Sequence, residues 1–562
     1  MMSPPLLLGL IVVVAAIVRL HGLGEASLWL DEAASVKFAG LPWSTLWLSG
    51  YDNAPPVYYS LLKLVLLFGD SELAVRLPSM VFGVLTIPVV YRTGQLVAGS
   101  RAGLGASLFF ALSATQVEYS QEARAYSLLV FALAVALLGL LLFLRKASPQ
   151  QDVAGSLDVQ RQRMLGLKIY TAGILLALYT HNIAVFFVFL SQLAFAYHWM
   201  TCGARRLSLI RYWLVANGLV FLLWLPWLHI ILTELVGNGS MAWLQHIGFA
   251  RAFGILRDVN GFAFVWRGQP WQPWLDLMLD LVLGLICLLG AYSLRRQPSV
   301  LLTLLLVGLC GPLLIWSLGY LQPMYMERSI VWGFLATTLL FGAGVNAMKQ
   351  GGRLMALMFL AAISGWSLMS FHELGATENE DWQTGFAAWR QQAIPQSAGQ
   401  AALFCSPEAA IPMVYYARHE IELPPTFAWG ASKGGFGAAF LLQGARAASD
   451  AGHPDWLAQL PHDLFLWKRG YADVGRRLLP ELPDQSLWRQ ATWHRLEVIY
   501  SHCLEDSKSA LQAALKEAGW GLRESTGFKG GRFASYACGR MGCYLPGLAN
   551  GLVAEPALSP RE

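Results

Sequence analysis

From its start to about Phe371 the chain alternates apolar stretches with short polar joints, and from His372 onward that rhythm stops. A helix needs about 20 mostly apolar residues to cross the hydrocarbon core of a bilayer. Stretches of that kind centre on 5–20, 78–97, 103–118, 126–144, 167–180, 183–200, 212–232, 275–294, 299–319, 329–348 and 354–371, which predicts eleven spans. The first has no basic lead and no small-residue cleavage site, so it reads as a retained helix. The polar joint 147–166 reads as a flexible loop. After 372, apolar runs at 401–405 and 496–500 alternate with helical stretches such as 507–518, the pattern of a small α/β layer. A glycine-rich run at 430–439 reads as a loop. The expected architecture is a multi-span α-helical membrane module over 1–371, followed by a soluble α/β domain over 372–562.

Charge placement orients the spans, because cytoplasmic joints collect Lys and Arg. With the N-terminus inside, every inside joint, taken with the span ends beside it, carries at least two basic residues, as Arg145 with Lys146 and Arg295 with Arg296 do. An odd number of spans then puts 372–562 outside the cytoplasm, together with a first outer loop at 21–77 and a second at 233–274. Composition agrees: 56% of residues are hydrophobic and 13% charged, against about 25% charged in ordinary soluble domains. A soluble enzyme, a disordered chain and a nucleic-acid binder are excluded on that ground. The net charge of +5 does not call for an acidic partner. Of the seven Cys, Cys202, Cys287 and Cys310 fall in or beside spans, whereas Cys405, Cys503, Cys538 and Cys543 lie in the outer domain. Four is an even number in a compartment that permits disulfides. The spacing of Cys538 and Cys543 is not that of a zinc pair.

Candidate chemistry gathers at the outer ends of the spans. The first outer loop opens with Trp29-Leu30-Asp31-Glu32, an acidic pair costly to hold beside a membrane without a purpose. One carboxylate suits a general base with its neighbour binding or orienting; the pair equally suits the acidic first turn of a helix. Further on, Asp52 precedes Pro55-Pro56, a turn feeding a helix start, and is a candidate ligand or a turn residue; Tyr58 follows as a candidate substrate contact. Glu122 and Arg124 share a short outer joint, where an Arg calls for a counter-anion, either a phosphate or a carboxylate. His181 ends the fifth span, and Glu327-Arg328 lies in the joint before the tenth. Singly each is an ordinary structural residue; together they point to one outer-facing site. No metal ligand set is readable, so no cofactor is expected; a divalent metal stays an open alternative that the sequence does not support.

The runs Leu28-Trp29-Leu30-Asp31-Glu32, Pro55-Pro56-Val57-Tyr58-Tyr59, Arg76-Leu77-Pro78-Ser79, Ser120-Gln121-Glu122-Ala123-Arg124-Ala125-Tyr126 and Tyr179-Thr180-His181 resemble glycosyltransferase family 39. These are membrane enzymes of the GT-C fold, related to protein O-mannosyltransferases and aminoarabinose transferases. The resemblance is dense over 19–200 and thinner to about 345, and 379–382 (Asn-Glu-Asp-Trp) looks like the entry to the C-terminal domain of such enzymes. It implies a sugar donor built on a polyprenyl phosphate, and a lipid, glycan or protein acceptor, in a bacterial inner membrane. Asp31 matches the catalytic acid of the family's first loop, Glu122 and Arg124 its second motif, and His181 and Arg328 positions near the donor phosphate. Two departures stand out. Arg328 is followed by Ser329 rather than Tyr, and the His or Glu-Lys usual before Pro55-Pro56 is here Asn53-Ala54, which speaks against a metal or a Lys–phosphate contact there. One base and direct attack at the anomeric carbon imply inversion. The competing expectation is a lipid or sugar transporter, which internal repeats and ionisable groups at mid-membrane would favour.

Overall fold

The computed structural model describes residues 3–48, 55–145, 153–201, 206–237, 246–260, 272–321, 323–378, 380–392, 400–404, 410–417, 426–428, 441–442, 495–501, 505–517, 519–529 and 531–538. Along the chain the helices are α1 (Pro4–Leu20), α2 (Leu30–Gly40), α3 (Trp43–Leu48), α4 (Pro56–Val65), α5 (Glu72–Ala98), α6 (Ser100–Leu112), α7 (Ala114–Ser120), α8 (Tyr126–Phe143), α9 (Val153–Leu178), α10 (Ala184–Met200), α11 (Arg206–Gly237), α12 (Phe249–Asn260), α13 (Gln272–Ser293) and α14 (Pro298–Leu305). After them come α15 (Gly311–Leu318), α16 (Glu327–Ile330), α17 (Phe334–Ala347), α18 (Gln350–Glu378), α19 (Trp382–Gln392), α20 (Ala410–Ala417) and α21 (Glu505–Glu517). These residues form two units: Met1–Glu25 with Pro42–Thr233 and Leu244–Ala376, and Ala26–Leu41 with Glu234–Trp243 and Thr377–Glu562.

The first unit is a helical membrane body. A helix covers each of the eleven predicted stretches. Among the described residues seven are long and apolar enough to cross a membrane: Glu72–Ala98, Tyr126–Phe143, Leu207–Leu232, Trp274–Ser293, Pro298–Leu318, Glu327–Ala347 and Gln350–Glu373. The chain is a multi-pass membrane protein. Several boundaries differ from the sequence expectation for identifiable reasons. Helix α5 begins not at Pro78 but after Ser71, whose hydroxyl accepts the Ala74 amide at 3.3 Å. Pro78 and Pro88 sit inside it, tolerated because neighbouring helices shield the interruption. The stretch 103–118 breaks at Ser113, which caps α7. The polar joint expected to be a loop is helical from Val153 onward, extending α9. Between α14 and α15 lies a π turn (Leu306–Cys310), and Trp332 packs against Gly311 at its end, where a Cβ would meet the indole at 2.6 Å.

Two helices meet through glycine. At Gly290 of α13 and Gly344 of α17 an added Cβ would run into the Leu340 and Ile286 carbonyls, so only glycine permits this backbone approach. Arg19, in the last turn of α1, is 0% exposed. Its guanidinium donates to the carbonyls of Ala111 (2.8 Å) and Phe110 (3.4 Å) and to Ser120 Oγ (3.2 Å). The two carbonyls belong to the last turn of α6, where the helix has no backbone donors left to offer them. Arg19 therefore closes one helix end and ties the following turn to α1.

The second unit carries a mixed sheet. Its strands are β1 (Gln400–Phe404), β2 (Thr426–Ala428), β3 (Leu441–Leu442), β4 (Arg495–Tyr500), β5 (Gly521–Phe528) and β6 (Gly531–Ala537), in the order β3-β2-β1-β4-β6-β5. Strand β1 pairs in parallel with β2 and β4; β2–β3, β4–β6 and β5–β6 are antiparallel. The runs 401–405 and 496–500 are thus strands β1 and β4 apart from Cys405, and α21 covers most of 507–518, as the α/β pattern predicts. Leu496, Val498, Ile499 and Tyr500 are all buried, as suits the apolar residues of an interior strand. Cys538, just past β6, is disulfide-bonded. The glycine-rich run 430–439 lies outside the described residues.

Candidate functional site

Within the membrane unit the joint after α7 is held from several sides. Gln121 Nε2 donates to the carbonyls of Arg19 (3.1 Å) and His21 (2.7 Å), and Ser127 Oγ to the Tyr119 carbonyl (2.8 Å). Ser120 takes the Arg19 contact described above. The Ser120, Gln121 and Ser127 side chains thus bind protein, which fixes where Glu122 and Arg124 emerge. A further relay reaches the backbone of Arg124. Ser79 Oγ donates to the Arg124 carbonyl at 3.0 Å, so the Tyr58 hydroxyl, 2.9 Å away, must donate to Ser79 Oγ. Tyr58 is 0% exposed and in this structure serves that relay. Its helix α4 starts at Pro55-Pro56 as expected, and the Val57 amide donates to the Tyr179 carbonyl at 3.1 Å, joining α4 to the turn before His181.

Ser79→Ala and Tyr58→Phe each delete one step of the relay. A buried neutral hydrogen bond contributes about 0.5–1.5 kcal/mol, so each substitution is expected to weaken the function of Arg124 roughly 2- to 10-fold. A turnover assay on folded protein checks this; losses beyond about 10² in either variant would mean that the hydroxyls themselves touch substrate.

Three rings stand in a row beside the joint. Tyr119 lies 5.3 Å from Tyr126 edge-on, and Tyr126 lies 5.6 Å from the His181 ring. The Arg124 guanidinium sits over the Tyr126 ring at 5.9 Å. From the far end of the membrane unit, Arg328 reaches the same neighbourhood. It occupies α16, whose turn is closed by Ser329: its hydroxyl accepts the Met326 amide (2.9 Å) and donates to the Met326 carbonyl (2.7 Å). The Ser329 carbonyl in turn receives the buried Trp332 indole N–H at 2.9 Å. The residue that departs from the family pattern therefore caps the turn presenting Arg328. Arg328 Nε itself donates to the Met326 sulfur at 2.8 Å.

Both cations lie close enough to His181 for their charges to act on it. Burial, followed by the charges of Arg124 and Arg328, pushes the His181 imidazole from its usual 6.5 down to about 3. The Ile183 amide donates to His181 Nδ1 at 3.2 Å, so the neutral ring keeps its proton on Nε2. Burial, and after it the charges of Glu118, Glu122 and Glu327, hold the Tyr119 hydroxyl well above its ordinary value. By surface area Glu122, Arg124, His181, Glu327 and Arg328 are each partly exposed. Two fixed cations and a neutral N–H donor can receive a multiply charged anion without a proton having to move first. Among the described residues no group of three His, Cys, Asp or Glu is placed to hold a metal.

His181 also makes a pH prediction. Its folded-state value lies below its unfolded one, so the unfolded chain binds more protons between about pH 3 and pH 6.5. The stability this contributes is present above about pH 6.5 and is lost as pH falls toward 3. His181→Asn is expected to lose less melting temperature than the parent chain between pH 7 and pH 4, measured by thermal unfolding in detergent. An equal or larger loss would contradict the shift.

The acidic pair lies in the second unit. Asp31 and Glu32 occupy the first turn of α2. Glu32 is 1% exposed, and its carboxylate accepts the Trp29 amide at 3.4 Å. Asp31 is partly exposed, and its carbonyl accepts the Ser35 hydroxyl at 2.9 Å. Asp52 lies outside the described residues. Sequence reasoning quoted Ser79 only within its motif and did not single out Arg19; both are intramembrane or membrane-edge polar groups whose partners are remote in sequence.

The chain resembles known proteins in two ways. Residues 53–156 match the family model described as dolichyl-phosphate-mannose-protein mannosyltransferase. The structure is similar to that of ArnT from Cupriavidus metallidurans in the apo state, with a TM-score of 0.57 and 14% identity over 94% of this chain and 97% of that one. ArnT from the same organism bound to undecaprenyl phosphate gives 0.44 and 15% identity over 94% and 97%. The Saccharomyces cerevisiae protein O-mannosyltransferase Pmt1–Pmt2 complex bound to the sugar donor gives 0.34 and 20% identity over 43% of this chain and 36% of that chain. No curated protein matches the chain. The chain has the GT-C glycosyltransferase fold.

Proposed function

We propose that this GT-C chain is a membrane glycosyltransferase that moves a sugar from a polyprenyl-phosphate donor to a hydroxyl acceptor on the outer face of a bacterial inner membrane. The observation that carries the reading is the grouping of Arg124, Arg328 and His181: Arg124 lies over the Tyr126 ring that neighbours His181, and both cations act on the imidazole. In the proposed reaction Asp31 takes the proton of the acceptor hydroxyl as its oxygen attacks the anomeric carbon. The bond from that carbon to the phosphate oxygen breaks, its electron pair goes to the phosphate, and the two guanidinium groups stabilise the charge that develops. Direct attack inverts the anomeric centre. Asp52 is retained as a candidate ligand, and Glu122 and Glu32 as partners that orient the cations and the base. The acceptor class is lipid, glycan or protein. Residues 1–371 are proposed as the catalytic membrane module and 372–562 as an outer domain, a placement with which the disulfide at Cys538 accords.

Donor recognition is tested by thermal unfolding of the purified protein with undecaprenyl phosphate, with inorganic phosphate and with undecaprenol as controls. Stabilisation by undecaprenyl phosphate that exceeds both controls supports the reading. No stabilisation beyond that given by undecaprenol would remove the phosphate site.

A further inference from the structure

Three consecutive amides lead into Asp31, and each donates to a side chain. The Leu28 N–H goes to the Tyr416 hydroxyl at 2.8 Å, Trp29 N–H to Glu32 at 3.4 Å, and Leu30 N–H to Glu380 Oε2 at 3.3 Å. Amides at a helix start have no intrahelical acceptor, so such partners decide where the first turn stands. Two of the three come from the far end of the chain. Ser27 adds to the connection: its hydroxyl accepts the Gln383 amide at 3.1 Å and donates to Tyr416 at 3.0 Å.

Glu380 is itself held. The same Oε2 accepts the indole N–H of Trp382 at 2.7 Å, and Trp382 is 0% exposed at the start of α19. Asp381 caps α19 through the Thr384 amide at 3.0 Å, and its own amide donates to the Lys529 carbonyl at 2.7 Å, just after β5. A continuous path of hydrogen bonds therefore runs from the sheet through Asp381–Trp382 and Glu380 to the first turn of α2. All of it lies within the second unit, and the stretch 380–382 that carries it has no role in the reaction proposed above.

We propose that Glu380, assisted by Tyr416, is a positioning residue for Asp31: it fixes the first turn of α2, and through it the direction of the Asp31 carboxylate, without touching substrate. The proposal rests on the reading of Asp31 as the base. Its chemistry needs an acceptor oxygen at position 380, not a charge. A Gln side chain offers that oxygen to both Leu30 and Trp382, whereas Ala offers none.

The test combines two readouts on the full-length protein. Hydrogen exchange of the peptide spanning 28–34 reports the turn directly, and transfer from a polyprenyl-phosphate sugar reports its use. Glu380→Ala is expected to speed exchange in that peptide and to lower kcat about 10-fold, the size of a lost charge-assisted hydrogen bond, with little change in KM for the donor. Glu380→Gln is expected to restore both to within about 3-fold of the parent chain. Tyr416→Phe, which keeps the ring and drops the acceptor of the Leu28 amide, should move both readouts in the same direction by less, and it carries the test if Glu380→Ala does not fold. Parental exchange and rate in Glu380→Ala would overturn the proposal. So would a Glu380→Gln variant as slow as the Ala variant with parental exchange, because that would make the carboxylate chemically active. If exchange behaves as expected but Asp31→Asn transfers sugar normally, the anchoring of α2 stands and the assignment of Asp31 as the base falls.

Discussion

Asp31→Asn is expected to lower sugar transfer by at least about 10²-fold, the lower end of what a positioned general base contributes. The substitution keeps the size of the side chain and its capacity to accept hydrogen bonds. It removes only the ability to take a proton at working pH. Asp31 sits in the first turn of α2, and its side chain is partly exposed. Its neighbour behaves differently. Glu32 is buried and turns back to the Trp29 amide, a contact that an amide oxygen can also make. Glu32→Gln is therefore expected to cost much less than Asp31→Asn. Assays of the two variants beside the parent chain check the ordering. A near-normal Asp31→Asn with an inactive Glu32→Gln would exchange their roles, and two normal variants would leave the pair as a helix cap alone.

The second large effect is expected at the cations. Removing one charge-assisted contact to a phosphate oxygen costs roughly 1.5–3 kcal/mol, or about 10- to 100-fold. Arg124→Ala and Arg328→Ala should each lower transfer by that amount. Their combination is expected to fall short of the product of the two, because both act on one leaving group. Arg124→Lys and Arg328→Lys should recover part of the loss, since Lys keeps the charge but not the planar fork. The measurement is turnover as a function of donor concentration, made on protein whose melting temperature matches the parent chain. Normal transfer by both Ala variants would place the phosphate elsewhere and leave Arg124 as a partner of nearby carboxylates.

The membrane body was legible because each span must be apolar along its whole length, and a helix stands over every predicted stretch. Its ends were less so. A proline reads as a helix start in water but sits well inside α5, and the polar residues at the start of α9 mask a helix that begins within a polar joint. The outer motifs were legible as residue types in order, yet their division of labour was not. Ser120 and Gln121 stand in the same run as Glu122 and Arg124, and only their contacts to the Arg19 guanidinium and to the backbone at the end of α1 show that they are tethers. Tyr58 shows the same limit: its hydroxyl serves Ser79, a partner visible only once α4 and α5 are packed. The grouping of 26–41 with residues beyond 377 leaves no mark in composition or periodicity, because it depends on single hydrogen bonds such as Leu30 to Glu380.

The central claim is tested most directly by transfer itself. Membranes containing the parent chain, Asp31→Asn, or the Arg124→Ala/Arg328→Ala pair are supplied with polyprenyl-phosphate donors carrying radiolabelled mannose, glucose or aminoarabinose. Label is then followed from the donor into acceptors native to those membranes. The account predicts that at least one donor passes its label to an acceptor with the parent chain, that Asp31→Asn falls by about 10² or more, and that the double Arg variant falls by more than about 10-fold. Transfer no greater than in membranes lacking the protein for every donor, or equal transfer by all three chains, would contradict it.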